Sequence, residues 1–221
     1  MRRINTYTGL VIKASAQEKA FISNPGRMSE LLIKDAPVFI KKADNPKRKT
    51  PYDLYAIQPE KTIVCIDSRV PNWIFEEHLT NDKISELKGY KIKKREYKIR
   101  DSKIDYLMEK NGGRCLVELK LCTLVKSQKL LFPDAVSERS SRHLYELINA
   151  TKQGYKAIVY FIGLRGDPNA FGPNTEVDPE FKEAFDRALN SDVKLLSLKT
   201  EINYEKDTLE FIDLETVPVK I

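Results

Sequence analysis

The sequence predicts a mixed α/β (α+β) protein in two parts. An OB-like β-barrel is expected over residues 1–70 and a mixed-sheet α/β domain over 71–221. Three observations lead there. The first seventy residues break into short β-branched and aromatic runs separated by turn residues and a long basic loop. From Pro71 the pattern changes to helix, three strands, helix, strand, the order of a mixed layered core. Within it, Ser102 to Leu121 reads as a hairpin turning at Asn111-Gly112-Gly113, and its returning strand alternates apolar with charged residues.

In the first part, Tyr7–Ala14 and Lys19–Ser23 suggest a hairpin, and Asn24-Pro25-Gly26 breaks the chain. Met28–Ile33 reads as a helical turn, and Val38–Lys41, Tyr52–Ile57 and Thr62–Asp67 supply further strands. About five short strands with basic loops suit a small barrel, a frequent nucleic-acid binder. In the second part, Asn72 is expected to cap a helix that turns Ile74, Phe75 and Leu79 inward, with Glu76 and Glu77 near its positive end. A short helix over Lys83–Leu87 follows, then strands at Lys91–Arg100, Ser102–Glu109 and Arg114–Cys122. After Phe132-Pro133-Asp134, a helix to about Lys152 places Leu144, Leu147, Ile148 and Thr151 on one side, and Gly154 ends it. Lys156–Leu164 is an apolar strand, Asp178–Asn190 a helix, and Val193–Thr200 and Leu209–Asp213 complete the sheet.

The chemistry concentrates on the hairpin. Glu118 and Lys120 share one strand face while Val117 and Leu119 take the other, and an antiparallel neighbour can bring Asp105 onto the polar face. An Asp and a Glu form a minimal oxygen cage for Mg or Mn, and an adjacent lysine can orient a water, as in restriction-enzyme-like nucleases. Acid-x-Lys triplets also occur at Glu86, Glu96, Asp101, Glu180 and Asp192. Glu118 differs in sitting within an apolar strand, where an unpaired carboxylate is costly. A cross-strand ion pair on a wet sheet face is the competing structural account. The expected metal set is Asp105, Glu118, the Leu119 carbonyl and Glu77 from the preceding helix, with Lys120 beside the attacking water. Arg139 and His143, four apart, are expected opposite the apolar stripe of their helix, in reach of a phosphate.

Charge points to polyanions. The chain of 221 residues carries 38 Lys and Arg against 32 Asp and Glu, a net +6. One cluster is a proline-stiffened loop with Lys41, Lys42, Lys47, Arg48 and Lys49; another runs from Lys88 to Lys103 and includes Lys93 and Arg95. Two such runs flanking a candidate metal site suit a phosphate backbone. DNA is therefore the expected partner, with strand type open. An RNA-directed barrel using Tyr52, Tyr55 and Phe39 as stacking platforms is the other nucleic-acid reading.

The same composition argues against other classes. With 41% apolar and 32% charged residues the chain reads as globular, and its longest apolar run, Ala157–Leu164, is too short to cross a bilayer. Arg2 and Arg3 precede no apolar stretch, so no signal peptide is expected. Cys65, Cys115 and Cys122 have neither zinc nor disulfide spacing, and His78 and His143 are the only histidines. A cytoplasmic location follows by default.

Four segments in order carry a resemblance. They are Asn45-Pro46-Lys47-Arg48-Lys49-Thr50-Pro51-Tyr52-Asp53-Leu54, Ser102-Lys103-Ile104-Asp105-Tyr106-Leu107, Val117-Glu118-Leu119-Lys120, and Phe132-Pro133-Asp134-Ala135-Val136-Ser137-Glu138-Arg139 with His143-Leu144. Together they resemble the sugar fermentation stimulation protein family from roughly Gly9 to the last strand. The resemblance implies an OB-type barrel followed by a restriction-endonuclease-like, PD-(D/E)xK domain, and it supports nuclease roles for Asp105, Glu118 and Lys120. It also implies DNA binding, with a non-catalytic regulator of sugar (maltose) utilisation genes as the alternative to a nuclease. Two positions depart from the family pattern. Pro25 stands where an Asn-Thr-Gly-x-Met motif has threonine, which removes a hydroxyl and a backbone donor. Asp67 stands for an asparagine and adds negative charge near the junction.

Overall fold

The computed structural model describes residues 6–8, 19–43, 45 and 47–221. The N-terminal unit contributes β1 (Thr6–Thr8), β2 (Ala20–Ile22), β3 (Val38–Lys42), β4 (Tyr52–Ile57) and β5 (Val64–Cys65). β4 is its centre: β2 runs parallel to it, and β3 and β5 pair with it antiparallel. Most of the expected first hairpin lies outside the described residues. Its start, β1, pairs with a strand near the C-terminus and not with β2. Met28, Leu31, Ile40, Leu54, Ile57, Val64 and Ile66 fill the interior of this OB-like barrel.

The second unit opens with α1 (Val70–Thr80) and a 3-10 turn (Ser85–Leu87). α1 starts at Val70, two residues before Asn72, with Pro71 pre-set for its first turn. Asn72 is therefore inside the helix and does not cap it; its Oδ1 accepts from the Tyr106 hydroxyl at 2.8 Å. Three antiparallel strands follow: β6 (Lys91–Ile99), β7 (Ser102–Lys110) and β8 (Gly113–Cys122). Gly112, at φ +78°, takes the left-handed turn position. β9 (Leu124–Lys126) and β10 (Lys129–Phe132) then lead to α2 (Glu138–Thr151). β11 (Lys156–Gly163), β12 (Ala170–Pro173), α3 (Pro179–Leu189), β13 (Val193–Lys199), β14 (Ile202–Glu205), β15 (Thr208–Phe211) and β16 (Glu215–Val217) complete the chain.

The main sheet has six strands in the order β16-β13-β11-β8-β7-β6. β8, β11 and β13 are parallel to one another, and β16 is antiparallel to β13. The expected closing strand at Leu209–Asp213 is corrected: β15 pairs with β1 and β14 in a separate small sheet, and β16 takes the edge. β9, β10 and β12 form another small sheet that the sequence did not announce, since runs of three or four residues show no alternation.

Helices cover both faces. α2 and α3 pack on one through Leu144, Leu147, Phe181 and Phe185 against Leu116, Val159 and Phe161. Their N-termini are tied by one residue. Asp178 accepts from the Phe181 N–H at 2.9 Å, capping α3, and from the Ser137 N–H at 2.8 Å, while the Ser137 side chain caps α2. α1 covers the other face with Ile74 and Phe75 against Tyr106, Val117 and Tyr160. This core runs into the barrel without a break, through Phe39, Tyr55 and Cys65, and the Cys65 N–H donates to the Leu164 carbonyl at 3.0 Å.

Candidate active site

The site forms where the β7–β8 ladder opens. Regular pairing runs from Lys110↔Gly113 to Tyr106↔Val117 and stops there. Side-chain alternation also breaks: Tyr106 and Met108 belong to the α1-side core, whereas Ile104 joins the α2-side core. At the break, carboxylates replace backbone acceptors. The Leu119 N–H donates to Asp105 Oδ2 at 2.7 Å, and the Asp105 N–H donates to Glu118 Oε2 at 3.2 Å. A local defect in strand pairing thus fixes both acidic side chains beside each other.

Glu118 and Lys120 project from β8 toward α2. Lys120 Nζ lies 2.7 Å from Glu118 Oε1, and His143 Nδ1–H donates to the same oxygen at 2.6 Å. On α2, Arg139 Nε–H donates to His143 Nε2 at 3.4 Å, which completes a chain from the surface to the buried carboxylate. Glu118 is 2% exposed and His143 1%, while Arg139 is exposed. The expected surface position of His143 is therefore corrected. It borders the apolar stripe at Leu144 and turns inward because Glu118 supplies a charged acceptor there.

The two carboxyls are unequal. Burial, and then the Glu118 charge, push the Asp105 pKa up to about 7 against the Leu119 N–H, Lys120 and Arg139. Burial raises Glu118 too, but the Lys120 charge and the His143 hydrogen bond outweigh it and hold Glu118 at about 2. Glu118 is thus an anion at neutral pH. Asp105 is the carboxyl whose charge lacks compensation.

These groups line a pocket of about 380 Å³. Asn72, the Phe132–Ser137 segment and Arg139 contribute walls, and Asn24, Pro25 and Gly26 reach in from the barrel. The sequence marks this loop by the Pro25 departure, and Gly26 beside it is the residue whose small size the pocket uses. Its α-carbon presses on Asp134, where a β-carbon would lie 2.5 Å from Oδ2, and the Met28 N–H donates to the same carboxylate at 3.2 Å.

Other expected residues fall elsewhere. Glu77 is not in the pocket: burial raises its pKa, and the charge that opposes this is Lys83, away from the acids. The helix turns about 100° per residue, so Asn72 and Glu76, four apart, face Tyr106 and Glu77 does not. Glu76 itself is clasped by Arg95 at 2.7 and 2.6 Å. Among the described residues no cluster of three or more His, Cys, Asp or Glu could hold a metal. Lys93 pairs with Glu109 at 2.8 Å and Arg48 with Asp53 at 2.7 Å, so part of each basic run is neutralised internally. Lys42, Lys47 and Lys49 are exposed, and Lys41 is half-buried. Phe39 and Tyr55, 3% and 4% exposed, are core residues and not stacking platforms; Tyr52 is half-buried. Asp67 is buried and bonded by Arg69, so it adds no free charge at the junction.

A family model described as the sugar fermentation stimulation protein RE domain matches residues 69–206, and one described as the SfsA N-terminal OB domain matches 1–66. The chain is 36% identical to the sugar fermentation stimulation protein homolog of Methanothermobacter thermautotrophicus over 205 residues, 92% of this chain and 85% of that one. It is 35% identical to the Desulfitobacterium hafniense homolog over 217 residues, 98% and 93% of the two chains. The structure of Pyrococcus furiosus SfsA in complex with Ca2+ superposes with a TM-score of 0.86 at 27% identity, covering 100% of both chains.

Proposed function

Because the chain belongs to the sugar fermentation stimulation protein family, we propose that it is a DNA-binding protein whose Asp105–Glu118–Lys120 pocket hydrolyses phosphodiesters with Mg or Mn. The observation that carries this reading is the convergence of two carboxylates, a lysine and an arginine in one open pocket at a ladder break, with a buried histidine behind Glu118. These are the parts of a PD-(D/E)xK site.

The residues fit a hard divalent cation. Asp105 and Glu118, with the Leu119 carbonyl, offer oxygen donors only, and the pocket leaves room for the waters Mg retains. A cation would also supply the compensation Asp105 lacks. When bound, such an ion supplies Lewis-acid stabilisation of the phosphate charge and a more acidic water. The chain's own groups do the positioning. Lys120, anchored on Glu118 and only 11% exposed in its side chain, holds its ammonium beside the two carboxylates to orient the attacking water. His143 fixes the Glu118 carboxylate, and Arg139 at the pocket mouth pairs with a phosphate oxygen. Relaxation of supercoiled plasmid with Mg or Mn tests the reading. Wild-type protein is expected to nick; a wild type that binds plasmid without nicking it leaves the non-catalytic regulator.

The backbone contact belongs to the exposed lysines. Replacing Lys42, Lys47 and Lys49 together by Gln is expected to weaken DNA binding uniformly across sequences. The slope of log K against log salt should flatten by about 2–3 on duplex DNA. An unchanged slope in a fluorescence titration at several salt concentrations would remove the 41–49 loop from the interface.

A further inference from the structure

A second cavity of about 370 Å³ shares no lining residue with the first. It lies on the α1 side of the main sheet. Tyr160 of β11 and Leu196 and Leu198 of β13 line it, with Ile84, Leu214 and His78 from the last turn of α1. Lys83 and Asp213, also lining it, form an ion pair with each other.

Two buried polar groups in its lining lack partners. His78 Nδ1 lies 2.8 Å from the Ile74 carbonyl, an acceptor only, so Nδ1 carries the hydrogen and Nε2 is a bare acceptor. His78 is 4% exposed, and Nε2 has no hydrogen-bond partner. Tyr160 is 1% exposed, and its hydroxyl has none either. Buried polar groups left unsatisfied are destabilising and rare, and each calls for a complement. Here one acceptor and one donor occur in the same cavity, among aliphatic side chains.

We infer that this cavity binds a small uncharged molecule with an apolar body and a hydroxyl or carboxamide head, the head donating to His78 Nε2 and accepting from the Tyr160 hydroxyl. The volume falls within the range of small-molecule sites; Ile84, Leu196, Leu198 and Leu214 supply an apolar wall, beside Lys83, Ser85, Glu86, Asp213 and Thr216. A charged head is disfavoured. Burial pushes the His78 pKa down, which keeps the imidazole neutral; Lys83 and Asp213 cancel at the rim, and the third charged residue of the lining, Glu86, is exposed to solvent and accepts from the Ser85 hydroxyl. A water can meet the two polar atoms but leaves the leucine walls unfilled. The site also touches the first pocket through one element, since α1 carries both His78 and Asn72.

Titration of the full-length chain with benzamide tests the assignment, with toluene as the same ring lacking the head and benzoate as its charged counterpart. Binding is followed by the 15N shift of His78 Nε2 and by the fluorescence of Trp73, the single tryptophan, which lies on α1. Benzamide is expected to move both signals saturably, with toluene and benzoate at least about tenfold weaker. Tyr160→Phe, which removes one oxygen and keeps the packing, should weaken benzamide at least about tenfold, and His78→Phe likewise. Equal binding of toluene, an unchanged affinity in Tyr160→Phe, or a His78 signal indifferent to benzamide because only water occupies the cavity would each overturn it.

Discussion

Asp105→Asn is expected to abolish metal-dependent cleavage and at the same time make the protein more stable at pH 8. The first effect follows from losing one of two anionic donors, the second from the cost of keeping that anion buried beside Glu118. The Asp105 pKa rises from 3.8 in the unfolded chain to about 7 in the fold. Between those values the native state holds the extra proton, so stability falls as pH rises through the window and the full penalty applies above 7. Below about 4 both states are protonated and the penalty vanishes. The shift corresponds to an order of about 4 kcal/mol, or roughly 8–16 °C in melting temperature for a chain of this size. Asparagine keeps an oxygen for the Leu119 N–H and carries no charge. Thermal melts in EDTA from pH 5 to pH 8 should show the gap between variant and wild type widening with pH. A gap that stays flat, or a variant less stable at pH 8, would refute the uncompensated anion.

Glu118→Ala is expected to act in the opposite direction on stability while abolishing cleavage as well. Its carboxylate is the acceptor for Lys120 Nζ and His143 Nδ1–H, both nearly closed to water. Removing it strands a buried ammonium and a buried donor, a change of about 3–5 kcal/mol. Glu118→Gln retains an oxygen and should lose less stability but no less activity. The Glu118 pKa, lowered to about 2, gives stability that is present above 4.5 and is lost as pH falls toward 2. Urea unfolding at pH 7 checks the magnitude. An Ala variant as stable as wild type would mean that Lys120 and His143 find other partners.

The carboxylate on β8 was readable because strand alternation is strict: Glu118 and Lys120 must share a face once Val117 and Leu119 are buried. Asp105 was readable only as a neighbour, since nothing in Ile104-Asp105-Tyr106 announces that ladder pairing stops there. His143 escaped for a similar reason. Periodicity places it beside Leu144, but only the facing strand decides whether a histidine at the margin of a stripe turns in or out. Neither glutamate of α1 enters the pocket, where Asn72 stands instead: helix starts are legible to within a residue or two, and each residue is a large rotation. The barrel and the β7–β8 hairpin followed from turn residues and alternation, whereas β9, β10 and β12 are too short to carry a period.

The hydrocarbon that passes unbroken from Phe39 and Tyr55 to Phe75 and Tyr106 has a bearing on how a substrate arrives. A hinge needs a seam of weak contacts between the bodies it separates, and one shared apolar cluster offers none. Asn24 is tied to the Ile66 carbonyl at 2.9 Å and the Met28 N–H to Asp134 at 3.2 Å, which sets Asn24, Pro25 and Gly26 in the same pocket as the two acids. If the proposed substrate is right, a polynucleotide would have to adapt its own shape to reach the two acids between loop and sheet, and selection among such shapes would precede any contact with a base.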